Sequence, residues 1–294
     1  MIAYSHYIKF IPKIDNEKKS DSAFIDTVTI KERSEVAMDS KLTDVLTFFN
    51  NQGRDLTLYT DREFSRTQKG QLWAFEVKDV VTFYWYGGTM VLEYTKHERF
   101  TAKLLKYWSL HIVLPLFFII EEYYDFLHAG AVEVDEKPIL FIAQSCGGKS
   151  TMTDYFMKQG HTMVSDDKVG FFEKNGDYFC VPSHPYHRPY RNMEDLGYVV
   201  ENMMKSPKPI HAIYLLQKND PDASIDIAAL SGVEKFLALR YNSEINLFFQ
   251  KPLRFEKLMK LAKRVPVYSV KVPWSLERLD EVYESICQHS KEVQ

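Results

Sequence analysis

Two glycines followed by lysine, serine and threonine, set between a short apolar run and a segment of helical texture, constrain this chain more than any other feature. The segment reads Ala143-Gln-Ser-Cys-Gly-Gly-Lys-Ser-Thr151. Before it, Lys137-Pro-Ile-Leu-Phe-Ile-Ala143 has the continuous apolar character of a buried strand. After it, residues 149 to 159 read as a helix stopped by Gly160. Strand, glycine turn and helix form the context that a phosphate-binding P-loop requires. Backbone N–H groups at the helix start converge on an anion. Glycine lets the backbone approach closely and adopt conformations closed to other residues. The expected nucleotide-binding residues are Ser145, Cys146, Gly147, Gly148, Lys149, Ser150 and Thr151. Lys149 would reach the β- and γ-phosphates, and the Ser150 hydroxyl would ligate Mg²⁺, a cation that takes oxygen ligands. ATP with Mg²⁺ is the expected ligand, with GTP and pyrophosphate left open. Ala143 stands where the strict motif has its first glycine.

Composition narrows the class. A chain of 294 residues holds one large domain or two of ordinary size. Its apolar fraction of 45% and charged fraction of 26% suit a globular fold. A net charge of −3 gives no global basic field, so neither nucleic acid nor an acidic membrane is expected as a partner. Three scattered cysteines, none in a CxxC pair, point to a reduced, cytoplasmic protein. The N-terminus lacks the basic start and apolar core of a signal peptide. The most apolar run, residues 108 to 120, carries His111 and Pro115 and is short for a bilayer. A buried core helix is expected there. Homo-oligomer formation is left open.

Residues 1 to 105 read as a small β-rich domain. Runs of β-branched and aromatic residues at 56–59, 72–77 and 80–86 predict strands, and residues 42 to 50 read as one short helix. From 106 to 294 a P-loop α/β domain is expected. A helical stretch to residue 126, disrupted at Pro115, precedes alternating strands and helices. Strands are predicted at 161–165, 210–216 and 267–270, and helices at 232–241, 252–263 and 275–288. Lys-Asn-Gly-Asp between 169–173 and 178–181 predicts a hairpin.

Three further groups of residues bear chemistry. Asp166-Asp167 closes the strand after the P-loop helix. Ligands of open α/β sheets lie beyond strand carboxyl ends, so the pair should meet the P-loop if the two strands run the same way. One carboxylate would hold Mg²⁺ and the other accept a proton from an attacking hydroxyl. A turn or helix cap is the ordinary alternative. His128 lies just before a strand at 131–134, and a lone histidine is more often structural than catalytic. The segment 182–191 carries His184, His187, Arg188 and Arg191. The forked donors of Arg188 and Arg191 suit a phosphate or an acidic acceptor, against the alternative of an exposed loop with incidental charge.

Taken in order, Leu127-His-Ala-Gly-Ala131, the P-loop segment, Gly160-His-Thr-Met-Val-Ser-Asp-Asp167 and Ser183-His-Pro-Tyr-His-Arg-Pro-Tyr-Arg191 resemble the C-terminal kinase domain of HPr kinase/phosphorylase and its relatives. That domain is similar in turn to the P-loop core of phosphoenolpyruvate carboxykinase. The resemblance continues through Leu196-Gly197, Leu230-Ser-Gly232, Arg264-Val-Pro-Val-Tyr268 and Leu276-Glu-Arg-Leu-Asp280, covering roughly residues 106 to 290. It implies that His128 and the Asp pair belong to an active centre with the phosphates. It also implies that one Asp accepts a proton during phosphorylation and returns it in the reverse reaction; Asp166 is assigned to the metal and Asp167 to the base. The family loop reads Gly where this chain has Ala143 and Cys146, which puts nucleotide affinity in question. The glycine-rich segment that engages HPr is not recognisable, so the expected acceptor is another hydroxyl, of a peptide serine, an amino acid or a sugar.

Two other readings compete with a kinase. A nucleotide-binding regulatory protein without transfer would explain Ala143 and Cys146. An assembly-type NTPase needs four apolar residues before its acidic residue, which Thr162-Met-Val-Ser-Asp166 fits poorly.

Overall fold

A computed structural model describes residues 1–14, 24–34, 42–49, 53–63, 69–189, 192–243 and 247–293. The chain divides into two compact units, one of residues 1–123 with 191–196, the other of 124–190 with 197–294.

The first unit is built on β1 (Ile2–Ala3), β2 (His6–Ile11), β3 (Thr27–Glu32), β4 (Thr43–Phe49), β5 (Asp55–Thr60), β6 (Leu72–Val77), β7 (Val81–Tyr86) and β8 (Val91–Lys96). They form one sheet in the order β1-β2-β3-β8-β7-β6-β5-β4. β6 and β7 are apolar along nearly their whole length because both faces are covered. Trp73 and Trp85 stack across them at 6.2 Å. A helical run covers this core: α1 (Ala102–Trp108), a π-helical turn (Ser109–Val113) and α2 (Leu114–Ile120). Thr101 caps it, its hydroxyl accepting from Leu104 N at 3.1 Å. The wide turn directly precedes Pro115, which lacks the N–H that a regular helix needs. Ala102–Ile120 is long and apolar enough to cross a membrane by length and composition, but 83% of its apolar window is buried. Its partners lie in the same unit: Phe117 meets Trp85 edge-on, and Tyr4 Oη donates to Leu110 O at 2.9 Å.

Three expectations change here. Residues 42–50 were expected as a helix, but residues 43–49 form strand β4, paired antiparallel with β5. The ladder and the β-branched Thr43, Val45 and Thr47 outweigh any local helical tendency; Asn50 lies outside the described residues. The helical stretch ends at Ile120, not 126, and a long strand begins at Asp125. The boundary expected at 105/106 falls at 123/124. The apolar helix belongs with the first unit because the β-rich sheet supplies the apolar surface it covers.

The second unit contains β9 (Asp125–Val134), β10 (Lys137–Ile142), α3 (Lys149–Lys158), β11 (Thr162–Ser165), β12 (Lys168–Lys174) and β13 (Asp177–Val181). There follow β14 (Tyr186–His187), β15 (Tyr198–Val199), β16 (Lys208–Pro209), β17 (Ala212–Asn219), β18 (Asp226–Ala229), α4 (Gly232–Tyr241), α5 (Lys251–Arg264), β19 (Val267–Pro273) and α6 (Leu279–Glu292). The main sheet runs β16-β13-β12-β9-β10-β17-β19-β18, with β11 also on β9. β10, β17 and β19 are mutually parallel neighbours, so their carboxyl ends share one edge.

Alternation along β10 sorts two cores. Leu140 and Ile142 join Leu239, Leu258 and Leu261 of α4 and α5. Ile139 and Phe141 join Met152, Phe156, Val282 and Ile286 of α3 and α6. The unit is therefore a mixed α/β fold, a sheet with helices on both faces.

Candidate active site

β9 organises the site. β10 pairs antiparallel along one of its edges and β11 along the other, so β10 and β11 run the same way. The glycine loop leaves the carboxyl end of β10, and Asp166-Asp167 leaves that of β11. The pair does not end a ribbon, however. β12 continues along the same edge of β9, with Lys168 opposite His128. The aspartates thus occupy a break inside one antiparallel ladder, held where Ala129 N donates to Asp167 O at 3.0 Å. His128 likewise lies within β9, three residues ahead of its expected strand.

Helix α3 packs across this break. A Cβ on Gly130 would lie 2.0 Å from Thr153 Oγ1 and 3.4 Å from Lys149 O, so only glycine permits the approach. His128 shares the parity of Gly130, Val132 and Val134, the face that α3 covers. The glycine in Leu127-His-Ala-Gly-Ala131 is what lets α3 sit against the strand bearing His128.

The loop itself curls tightly. A Cβ on Gly147 would be 2.7 Å from Ala143 Cβ, so glycine at 147 makes room for alanine at 143. Gly148 caps α3 at φ 91°. Cys146, exposed and unoxidised, adopts φ 58°, a left-handed conformation that costs an L-residue about 1–2 kcal/mol. Lys149 is buried, and its ammonium donates back to Ala143 O at 3.0 Å, closing the loop on itself. Ser145 and Thr151 are exposed and Ser150 is half-buried on the first helical turn.

The two aspartates differ. Asp166 is 2% exposed; its Oδ2 accepts from Arg188 N at 2.8 Å and its Oδ1 lies 2.9 Å from His187 Nδ1. Burial pushes the Asp166 carboxyl up, but the His187 hydrogen bond and charge and the Arg188 amide outweigh it and hold it below the usual carboxylate range. The Asp167 side chain is 12% exposed, with Oδ1 3.3 Å from His128 Nδ1 and Oδ2 3.4 Å from Arg188 Nη2. A metal role for Asp166 would have to use an oxygen already engaged by His187 or Arg188.

The segment 183–188 is no exposed loop. Ser183, His184, His187 and Arg188 are all buried. His187 also reaches Asp154 of α3, Nε2 to Oδ1 at 3.3 Å, so one imidazole ties α3 to Asp166. Burial, then the Arg188 charge, pushes the His184 imidazole down to about 4. Arg191 lies outside the described residues. His187 was marked in the sequence only as part of a basic segment, and Asp154 not at all; 33 positions of chain separate them and no motif signals the contact. Among the described residues no group of three or more His, Cys, Asp or Glu could hold a metal ion unaided.

The structure thus shows a mixed α/β unit in which the glycine loop after β10 and the aspartate pair flank β9 on its two edges, level with His128. No family model matches the chain, and no curated protein matches it. Among solved structures, the HPr(Ser) kinase/phosphatase from Coxiella burnetii is similar, with a TM-score of 0.38 and 12% identity, covering 57% of this chain and 91% of that one. A likeness of that size carries no argument about fold or chemistry.

Proposed function

We propose that the chain is a kinase that transfers the γ-phosphate of ATP to a hydroxyl of a peptide serine, an amino acid or a sugar. One observation carries this reading: the loop bearing Lys149 and the strands bearing the aspartate pair flank β9 on its two edges, level with His128. A bare phosphate-binding turn would not need a carboxylate, a histidine and a buried arginine beside it.

The reading gives each residue a role. The loop amides and Lys149 would cradle the β- and γ-phosphates. Asp167, steered by His128 and Arg188, would take the proton of the acceptor hydroxyl as its oxygen bonds to the γ-phosphorus. The bond from that phosphorus to the β-bridging oxygen breaks, and the charge left on ADP is met by Lys149. In reverse, Asp167 returns the proton. Mg²⁺, when bound, would neutralise phosphate charge; Ser150 and Asp166 are the residues that would hold it. That donor set fits a cation which takes one or two carboxylates and completes its shell with phosphate and water. Asp166, bound also to His187 and the Arg188 amide, would hold the Asp167 backbone in place as well.

Calorimetry with Mg·ATP tests the foundation. Lys149→Ala is expected to abolish binding while the melting temperature changes little; unchanged affinity would remove the P-loop assignment. Ala143 and the strained Cys146 favour a second reading, a regulatory protein that binds nucleotide and transfers nothing. Tight Mg·ATP binding with no loss of γ-phosphate to any acceptor, water included, would select it.

A further inference from the structure

The two P-loop glycines also form a wall of a second cleft, of about 280 Å³, whose other side is the turn after β19. Because β10 and β19 end on the same sheet edge, that turn faces the loop. Met152, Leu216 and Val272 give it an apolar floor, each less than 8% exposed. Among the described residues no charged side chain lines it. Trp274 stands over it: two ring carbons lie 3.5 Å from where a Cβ of Gly148 would be. For so large an aromatic it is unusually open, at 44% exposure, whereas Trp73, Trp85 and Trp108 are essentially buried. Its backbone is pinned by Trp274 N donating to Asn219 O at 3.1 Å, and the Lys218 ammonium sits 4.0 Å from the ring centroid.

We infer that this cleft receives the adenine ring of the nucleotide, stacked against Trp274, and that the phosphate donor is therefore a nucleotide and not pyrophosphate. The inference rests on the phosphate site proposed above, with which it shares Gly147 and Gly148. A flat ring beside an exposed indole gains stacking area. The cleft is poor in polar partners: the Trp274 and Ser275 amides already donate to Asn219 O and Pro273 O. Guanine would bring its N1–H and amino donors into a lining with no carboxylate to accept them, which disfavours it.

Binding of ATP, GTP and tripolyphosphate to the full chain with Mg²⁺ separates the two sites. The parent is expected to bind ATP more tightly than GTP and both more tightly than tripolyphosphate. Trp274→Ala is expected to raise the Kd for ATP about 5- to 150-fold, the span that loss of one base–aromatic stack covers, and to leave tripolyphosphate unchanged. Trp274→Phe should restore most of the difference. If ATP and tripolyphosphate bind alike in the parent, or if ATP affinity ignores Trp274→Ala, the base site is wrong while the phosphate site stands. If neither ligand binds the parent, both fail.

Discussion

Asp166 and Asp167 are neighbours in the chain with opposite surroundings, and their substitutions should differ in kind. Asp167→Asn is expected to slow phosphoryl transfer by about 10² to 10⁴-fold, the usual contribution of a positioned base, while ATP affinity survives. Asp166→Asn takes from the buried His187 the nearer of its two carboxylates, leaving Asp154, and should destabilise the protein by up to about 3–5 kcal/mol, read by urea unfolding. A stable Asp166→Asn protein with parent turnover would make that pair incidental. His184 offers a second test. Its folded pKa of about 4 lies below the ordinary value of about 6.5, so the unfolded chain binds the extra proton more readily. Stability should therefore fall as pH drops from about 6.5 to about 4, and His184→Gln should flatten that part of the curve; an unchanged slope would exclude the residue. Lys149, Ser150 and the Asp pair stood out as candidates in the sequence because their spacing suits phosphate chemistry. The sequence did not show the bridge from Asp154 through His187 to Asp166, which exists only once the 183–188 segment folds back and buries its polar groups.

The close packing of α3 on β9 is the element-scale feature on which the site depends. Gly130→Ala would force a methyl into Thr153 Oγ1 and should cost about 1–3 kcal/mol, the range for overpacking a filled core. Combining it with Thr153→Ala should recover part of that loss. A Gly130→Ala variant as stable as the parent would mean that the helix is not held this closely. Strand, loop and helix at the P-loop were legible because apolar run, glycines and helical texture follow one another without interruption. The break at Asp166-Asp167 read as a strand end because two polar residues interrupt the pattern; only the partner strand shows that the ladder resumes at Lys168. Residues 42–50 read as a helix because local texture cannot report a partner strand at residues 55–60.

Across the whole molecule, two units were foreseen from the change in texture near residue 106, but the units divide at 123/124. Composition changes where the helix begins, whereas the unit ends where the helix has covered its sheet. The catalytic reading rests on the second unit, whose described residues supply the loop, the base and the cleft. Its central claim is that the stretch of β9 around His128, flanked by the glycine loop and the aspartate pair, binds Mg·ATP and passes on the γ-phosphate through Asp167. The direct measurement is release or transfer of label from γ-labelled ATP, with water as the default acceptor, alongside the Kd for Mg·ATP, in the parent and in Asp167→Asn. The expected result is label loss in the parent and an equal Kd in both proteins, with label loss in Asp167→Asn slower by about 10² to 10⁴-fold. A parent that does not bind Mg·ATP, or an Asp167→Asn protein that releases label at the parent rate, would contradict the account.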